Sequence, residues 1–138
     1  MKYLLDTNTV VHFLRGAYHL DEKMRFVGIE NCFVSEITIL ELEYGVENSA
    51  PEWQERQRTA LDNFISIFEE RILPIRPAFK QYALNRARLR KLGTPISDFD
   101  LLIGSTAVAH DFTIVTDNVS ELSRIENSRV ENWIVRLK

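Results

Sequence analysis

The chain has 138 residues, a formal net charge of −3 and 45% hydrophobic residues. These values suit a single soluble domain covering residues 1–138, and the lone Cys32 excludes a disulfide framework. No apolar run approaches the roughly 20 residues of a membrane span, and the N-terminus lacks a secretory pattern, so we expect a cytoplasmic protein. The slightly acidic balance weighs against a large nucleic-acid footprint without deciding the matter.

Short apolar runs alternate with longer helical patterns along the chain. The runs predict strands near 2–6, 31–35, 72–76, 112–116 and 130–135. The patterns predict helices near 8–15, 20–29 (weakly), 36–47, 51–69, 77–92 and 98–110. Strands separated by helical segments of this length are typical of βαβ units, so we expect an α/β fold with a mainly parallel sheet. Pro51 and Pro77 suit the first turns of two of these helices, and Gly93 ends the second.

Asp6 follows the apolar run Tyr3-Leu4-Leu5, at the carboxyl end of the first predicted strand. In a parallel sheet such strand ends lie along one edge, where ligands bind. Two interpretations stay open. The carboxylate caps the next helix, a role that Thr7 or Asn8 could also fill, or it binds a ligand.

Glu41 falls inside the helix predicted at 36–47. At 100° per residue it points away from the solvated face and lies beside three apolar side chains, Ile37, Leu40 and Tyr44. A carboxylate in such surroundings is costly unless it is paired or metal-bound, which favours a functional role. The alternative is a capping box that begins at Thr38, but Ser35 is the better N-cap because it directly follows the strand.

Asp98 and Asp100 compete for one role at the start of the helix predicted at 98–110. With Ser97 as N-cap, Asp98 lies in the first turn, where it complements the helix dipole. Asp100 shares a face with small or apolar residues that would pack on the sheet, namely Ile103, Gly104 and Ala107. Asp100 is therefore the better ligand candidate, with a capping-box acid as its structural alternative.

A polar segment follows the strand predicted at 112–116. Thr116 and Asn118 can hydrogen-bond carboxylates, and Asp117 and Glu121 can add negative charge, although such residues also form turns for local reasons. Carboxylates gathered at one edge repel one another unless a cation neutralises them, and oxygen ligands suit Mg²⁺ or Mn²⁺. The sequence therefore predicts a divalent-metal site.

Two predicted helices, one rich in apolar and one in basic residues, each have two interpretations. The apolar residues of the helix at 51–69 indicate either core packing or a subunit interface. They are Trp53, Leu61, Phe64, Ile65 and Phe68. The basic residues of the helix at 77–92 either form a solvated face or follow a phosphate backbone. They are Lys80, Arg86, Arg88, Arg90 and Lys91.

Four segments, in this order, resemble the PIN-domain ribonucleases and specifically the VapC-type toxins of bacterial type II toxin–antitoxin pairs. They are Tyr3–Asn8, Ser35–Gly45, Gly93–Gly104 and Ile114–Leu122, and Val130–Trp133 matches the usual ending. Each motif alone is weak, but the four in order span nearly the whole chain.

The resemblance implies a Rossmann-like domain with a four- to five-stranded sheet flanked by helices, which hydrolyses RNA with Mg²⁺ or Mn²⁺. The first three acids of the family pattern match Asp6, Glu41 and Asp100, and Asp6 and Asp100 would be the direct metal ligands. Many relatives carry an aspartate where Asn118 stands, so either Asn118 or the nearby Glu121 completes the site. In-line attack by water would leave a 5′-phosphate and a 3′-hydroxyl.

The same resemblance implies partners. VapC-type proteins form homodimers, and a cognate antitoxin neutralises them by crossing the active-site groove. The complex binds promoter DNA through the antitoxin. The implied substrate is RNA, often tRNA, and in some similar proteins initiator tRNA cut in the anticodon loop.

Three other functions compete with this interpretation. A receiver-type phosphoacceptor module also gathers acids around Mg²⁺, but the required aspartate and lysine after its strands are missing. A catalytically degenerate PIN fold would bind RNA or a partner without cutting, which the three intact acids disfavour. A DNA-directed nuclease of the same fold stays open.

Overall fold

The computed structural model describes residues 1–137, in which five parallel strands form one sheet. The strands are β1 (Tyr3–Leu5), β2 (Cys32–Ser35), β3 (Ile72–Leu73), β4 (Thr113–Val115) and β5 (Val130–Glu131). Their order across the sheet is β3-β2-β1-β4-β5, so β1 is central. Leu4 of β1 lies opposite Phe33 on one side and Ile114 on the other. The expected parallel α/β sheet is confirmed.

Helices connect the strands. They are α1 (Thr7–Leu14), α2 (Leu20–Val27), α3 (Glu36–Glu47), α4 (Pro51–Phe68), α5 (Phe79–Leu92), α6 (Asp98–His110) and α7 (Val119–Leu122). The first six match the predicted helices, and the weakly predicted α2 is present. The sequence did not predict α7, because four residues are too few to establish a helical period. No helix within residues 1–137 is long and apolar enough to cross a lipid bilayer.

Both edge strands are shorter than predicted. Pairing at the predicted 72–76 strand stops at Leu73, because Pro74 has no N–H to donate to a ladder. The strand predicted at 130–135 likewise pairs only at Val130–Glu131. Pro77 was also misplaced, since it lies in a 3₁₀ turn that precedes α5.

The core divides into two clusters, one on each face of the sheet. Neighbouring residues of β1 belong to different clusters: Leu5 packs with Phe64 and Phe68 of α4, and Leu4 packs with side chains of α6. Both leucines are fully buried, as expected of a strand covered on both faces. The core explanation for α4 is therefore confirmed for its buried aromatic residues, but Trp53 is 49% exposed.

The strand order reverses beside β1. The chain builds β2 and β3 on one side of β1 and then crosses over to β4 on its other side. In open α/β sheets, ligands bind in the crevice outside the carboxyl ends of the strands at such a switch point. The fold therefore directs attention to the residues that follow β1 and β4, which are Asp6 and Thr116.

The helix α6 lies close to the segment around α7, and Gly104 permits the approach. A Cβ at Gly104 would collide with Ile125 Cδ1 and would lie 3.0 Å from Leu122 Cδ1. The predicted small-residue face of α6 is confirmed, because Ile103, Gly104 and Ala107 are all buried. Gly45 in α3 differs, since an added Cβ there meets no atom within 4 Å.

The two helical glycines should therefore respond in opposite ways to alanine. Gly45→Ala should raise the free energy of unfolding by up to about 1 kcal/mol through helix propensity. Gly104→Ala should lower it, because overpacking costs about 1–3 kcal/mol and the propensity gain offsets only part of that. Urea denaturation of both variants measures the difference, and shifts of the same sign would contradict this packing.

Candidate active site

Asp6 is buried at the carboxyl end of β1, with 5% of its surface exposed. Its N–H donates to the Val115 carbonyl at 2.9 Å, which ties it to the end of β4. Its Oδ1 accepts from the Thr9 N–H at 2.9 Å, so Asp6 is the N-cap of α1. Its Oδ2 accepts from the Thr116 hydroxyl. Each oxygen keeps further acceptor capacity, so the cap does not preclude a ligand.

Asp100 lies close enough to Asp6 to influence its ionisation. Burial raises the pKa of the Asp6 carboxyl, hydrogen bonds from Thr116 and Thr9 lower it in part, and the negative charge of Asp100 raises it further. A like charge has this effect only at short range. Asp100 therefore lies within electrostatic range of Asp6.

The neighbouring Asp98 is directed elsewhere. Ser97 caps α6 as predicted, accepting from the Asp100 N–H at 3.3 Å. The Asp98 carboxylate accepts from the Tyr82 hydroxyl at 2.9 Å and lies 3.7 Å from Arg86 Nε, both on α5. The preference for Asp100 over Asp98 thus agrees with the geometry, in which Asp98 is engaged by a different helix.

Glu41 reaches the same region through α1. Its Oε1 accepts from the Thr7 hydroxyl at 2.6 Å, and Thr7 directly follows Asp6. Ser35 is the N-cap of α3, accepting from the Ile37 N–H at 3.0 Å, so the capping box from Thr38 is wrong.

The apolar surroundings expected for Glu41 are present only in part, since Ile37 is buried but the other two apolar neighbours are not. Leu40 is 53% exposed and Tyr44 is 69% exposed. The sequence identified Glu41 as unusual, and its polar partner is the Thr7 hydroxyl of α1, which periodicity within α3 does not reveal.

Asn118 and Glu121 are linked to Asp6 through Thr116. The Asn118 amide donates to Glu121 Oε2 at 2.9 Å, and the Asn118 N–H donates to Thr116 Oγ1 at 2.9 Å. Because Thr116 in turn donates to Asp6, a continuous hydrogen-bonded chain joins Asn118 and Glu121 to Asp6 at the ends of β1 and β4.

Asp117 does not join this group. Its carboxylate accepts from Arg136 at 2.7 and 2.6 Å and from Asn132 at 3.0 Å. These contacts, the Arg136 guanidinium above all, hold the pKa of Asp117 at about 2. Arg136 therefore turns this acid away from the pocket.

The acids at this edge differ from their sequence neighbours in charge pairing. Asp98, Asp117 and Glu43 each face an arginine, at 3.7, 2.6 and 2.8 Å respectively. Within residues 1–137, no ion pair involves any of four acids, namely Asp6, Glu41, Asp100 and Glu121. Asp6, Glu41 and Glu121 accept instead from neutral hydroxyl, amide and backbone N–H groups. The pocket thus keeps negative charge that the chain does not balance.

The donor set fits a hard divalent cation bound with water. Across residues 1–137, no three His, Cys, Asp or Glu side chains lie close enough to hold an ion among them. Mg²⁺ commonly binds one or two carboxylates and keeps several waters, so Asp6 with Asp100 is a sufficient protein contribution. The sequence did not predict that Thr7 and Thr38 take part in the hydrogen bonding of Glu41. Thr7 directly follows Asp6, and Thr38 lies about one helical turn before Glu41.

An apolar groove of about 510 Å³ begins next to these acids. Val11 and Gly45 line it, and each lies one helical turn beyond the Thr7–Glu41 contact. Its other apolar lining includes Leu14, Leu42, Val46, Trp53 and Leu61. Arg15 and Arg56 stand among the lining residues, so the groove combines an apolar surface with positive charge.

Comparison with known proteins agrees with this geometry. The PIN domain family model matches residues 3–127. The tRNA(fMet)-specific endonuclease VapC of Salmonella typhimurium is 33% identical over 135 residues, covering 96% of this chain and 98% of that protein. Ribonuclease VapC2 of Rickettsia felis is 35% identical over 137 residues, with coverage of 96% and 98%.

A solved structure has the same fold over nearly its whole length. VapBC2 from Rickettsia felis, bound to a DNA fragment from its promoter, superposes with a TM-score of 0.83 at 33% identity. The match covers 96% of this chain and 99% of that chain. The chain therefore belongs to the PIN-domain family, and within it to the VapC-type toxins of toxin–antitoxin pairs.

Asp117→Asn should destabilise the protein in a pH-dependent way. The folded pKa of about 2 lies below the ordinary 3.8, so the stabilisation is complete above pH 4 and is lost as the pH falls through 2. Arg136 is 55% exposed, so solvent screening limits the loss at pH 7 to about 1 kcal/mol or less.

Chemical denaturation at several pH values measures this effect. The difference between wild type and Asp117→Asn should shrink between pH 4 and pH 2, and Arg136→Gln should reproduce it. A difference that stays constant over this range would show that the ion pair is not its source.

Proposed function

We propose that this chain is a divalent-metal-dependent endoribonuclease that acts as the toxin of a toxin–antitoxin pair. The observation that carries the proposal is the unbalanced negative charge at the switch point of the sheet, where Asp6, Asp100 and Glu41 lack ion-pair partners within residues 1–137. Membership of the VapC-type proteins, whose relatives include a ribonuclease and a tRNA endonuclease, supports the reaction class.

Asp6 and Asp100 are the residues that would hold Mg²⁺, with Mn²⁺ as a substitute. When bound, such a cation supplies Lewis acidity, which lowers the pKa of a water molecule and balances charge that grows on the scissile phosphate. Asp6 is already fixed by the Thr9 N–H and the Thr116 hydroxyl, so its oxygens need little reorganisation.

The remaining residues orient the reactants. Glu41 on one side and the Asn118–Glu121 pair on the other flank Asp6, through Thr7 and Thr116 respectively. They would position water for in-line attack on the phosphodiester, which leaves a 5′-phosphate and a 3′-hydroxyl. Asp117 has no part in this step, since Arg136 holds its carboxylate.

The substrate class follows from the relatives, and we propose tRNA, with initiator tRNA as the first candidate. The Salmonella typhimurium relative is named for tRNA(fMet). The exposed basic residues of α5 would contact the phosphate backbone, among them Lys80, Arg90 and Lys91. Cleavage of tRNA, mRNA and single-stranded DNA, with and without Mg²⁺, distinguishes this substrate from DNA and from a degenerate fold.

Asp6→Asn and Asp100→Asn should each lower the cleavage rate by about 10²-fold or more, because each removes a charge that the cation requires. Asparagine is also a good N-cap, so Asp6→Asn should fold and bind the antitoxin as the wild type does. Asp98→Asn is the matched control on the same helical turn and should cleave at nearly the wild-type rate. Equal rates for wild type and either site variant would refute the assignment.

We further propose that the antitoxin lies along the apolar groove beside the acids, and that its complex with the homodimeric toxin binds promoter DNA through the antitoxin. The Rickettsia felis structure, a VapBC2 complex on promoter DNA, supports this arrangement. An apolar partner segment would cover the half-exposed Trp53, and acidic side chains on it would meet Arg15 and Arg56. The exposed Leu40 and Tyr44 on α3 support self-association.

Gly45→Leu tests the groove. Space is open at Gly45, and leucine favours a helix, so the variant should fold at least as well as the wild type. Its side chain would occupy the groove and should weaken antitoxin binding by about 10-fold or more, because overpacking a well-packed core costs about 1–3 kcal/mol and a well-packed interface should respond in the same way. Calorimetric titration with Gly45→Ala as control measures this, and unchanged affinity would place the partner elsewhere.

A further inference from the structure

We infer that Thr7 is a positioning residue for Glu41, and that the hydroxyl of Thr7 sets the affinity of the pocket for a divalent cation. The inference rests on the proposed function, because it concerns the same pocket. Thr7 Oγ1 donates to Glu41 Oε1 at 2.6 Å, and Thr38 Oγ1 lies 3.0 Å from Thr7 Oγ1.

The direction of these hydrogen bonds follows from proton counting. A threonine hydroxyl carries one proton, and a carboxylate can only accept. The Thr7 proton therefore goes to Glu41, which leaves Thr38 as the donor to the Thr7 oxygen. Thr38 is fully buried, so this donor is shielded from solvent. The chain Thr38–Thr7–Glu41 consequently has a single orientation.

The length of the Glu41 side chain makes such a contact consequential. A glutamate on a partly exposed helix face has three side-chain torsions and samples many rotamers. A hydrogen bond to a charged acceptor is short and selects one of them. Within residues 1–137, Oε2 of Glu41 accepts no hydrogen bond, so its full acceptor capacity is unused.

Thr7 also links Glu41 to Asp6. The two residues are adjacent at the junction of β1 and α1, and the Asp6 carboxylate is fixed by Thr9 and Thr116 while the Thr7 hydroxyl fixes Glu41. The adjacent residues Asp6 and Thr7 thereby fix the position of the Asp6 carboxylate relative to that of Glu41 on α3. Glu41 would hold water bound to the cation, so Thr7 would act on the cation from outside its coordination sphere. Removing a group that acts in this way typically changes metal affinity by about 10–100-fold.

Thr7→Val tests the inference, because valine has the shape of threonine without its hydroxyl. We expect the Mn²⁺ dissociation constant, measured from the electron paramagnetic resonance signal of free Mn²⁺, to rise by about 10-fold. The kcat for tRNA cleavage should fall while KM stays near the wild-type value. Thr7→Ser restores the donor and should restore both quantities.

Two controls separate positioning from simple packing. Thr106→Val removes a buried hydroxyl that bonds only within α6, to the Leu102 carbonyl at 2.8 Å, and should leave Mn²⁺ binding unchanged. In a Glu41→Gln background, Thr7→Val should weaken Mn²⁺ binding little further, because Thr7 acts through Glu41. If Thr7→Val does not fold, Thr38→Val removes the preceding donor and should weaken binding in the same direction.

The Mn²⁺ measurements distinguish failure of this inference from failure of the proposed nuclease function. Wild-type Mn²⁺ affinity and kcat in folded Thr7→Val would overturn the inference while leaving the nuclease proposal intact. Additive losses for Thr7→Val and Glu41→Gln would also overturn it. Absence of Mn²⁺ binding in the wild-type protein would overturn both.

Discussion

The burial of one carboxylate at the end of the central strand is the constraint on which this pocket depends. Asp6 costs free energy where it stands, since burial and the charge of Asp100 both oppose its ionisation. Hydrogen bonds from Thr9 and Thr116 repay part of that cost. The same hydrogen bonds join the start of α1 and the start of the β4–α7 loop to the Asp6 carboxylate. The local structure is therefore arranged to give this buried carboxylate the hydrogen bonds that water would otherwise supply.

Neighbouring acids show how the chain distributes its negative charge. Asp98, Asp117 and Glu43 each stand one or two residues from a pocket residue, yet each pairs with an arginine. Without those arginines, three further unpaired carboxylates would stand near the edge of the sheet and add to the repulsion there. Ion pairs thus remove the surplus acids, and neutral donors hold the rest in an arrangement that favours a cation.

Much of this arrangement was predictable because it follows from local rules. The caps Ser35 and Ser97 follow from their place at strand or loop ends, and they fix the faces on which Glu41 and Asp100 lie. The parallel sheet follows from the alternation of short apolar runs with helices. Asp6 as the cap could not be chosen over Thr7 and Asn8, because three adjacent residues satisfied the same rule.

What escaped prediction depended on contacts between distant segments. The Thr7–Glu41 bond joins residues 34 positions apart and requires α1 to pack on α3. Each edge strand pairs with a strand on one side only, which a single segment does not reveal. The exposure of Trp53 likewise depends on how α1, α3 and α4 together form the apolar groove. Periodicity within one segment does not contain such information.

The junction between β1 and α1 has a consequence for how the chain tolerates changes in length. Asp6 and Thr7 serve different carboxylate networks from consecutive positions, with no intervening loop to absorb an inserted or deleted residue. An inserted or deleted residue at this junction would keep either the contacts of the Asp6 carboxylate or the Thr7–Glu41 hydrogen bond, but not both. Insertions and deletions should therefore be tolerated poorly directly after the first strand.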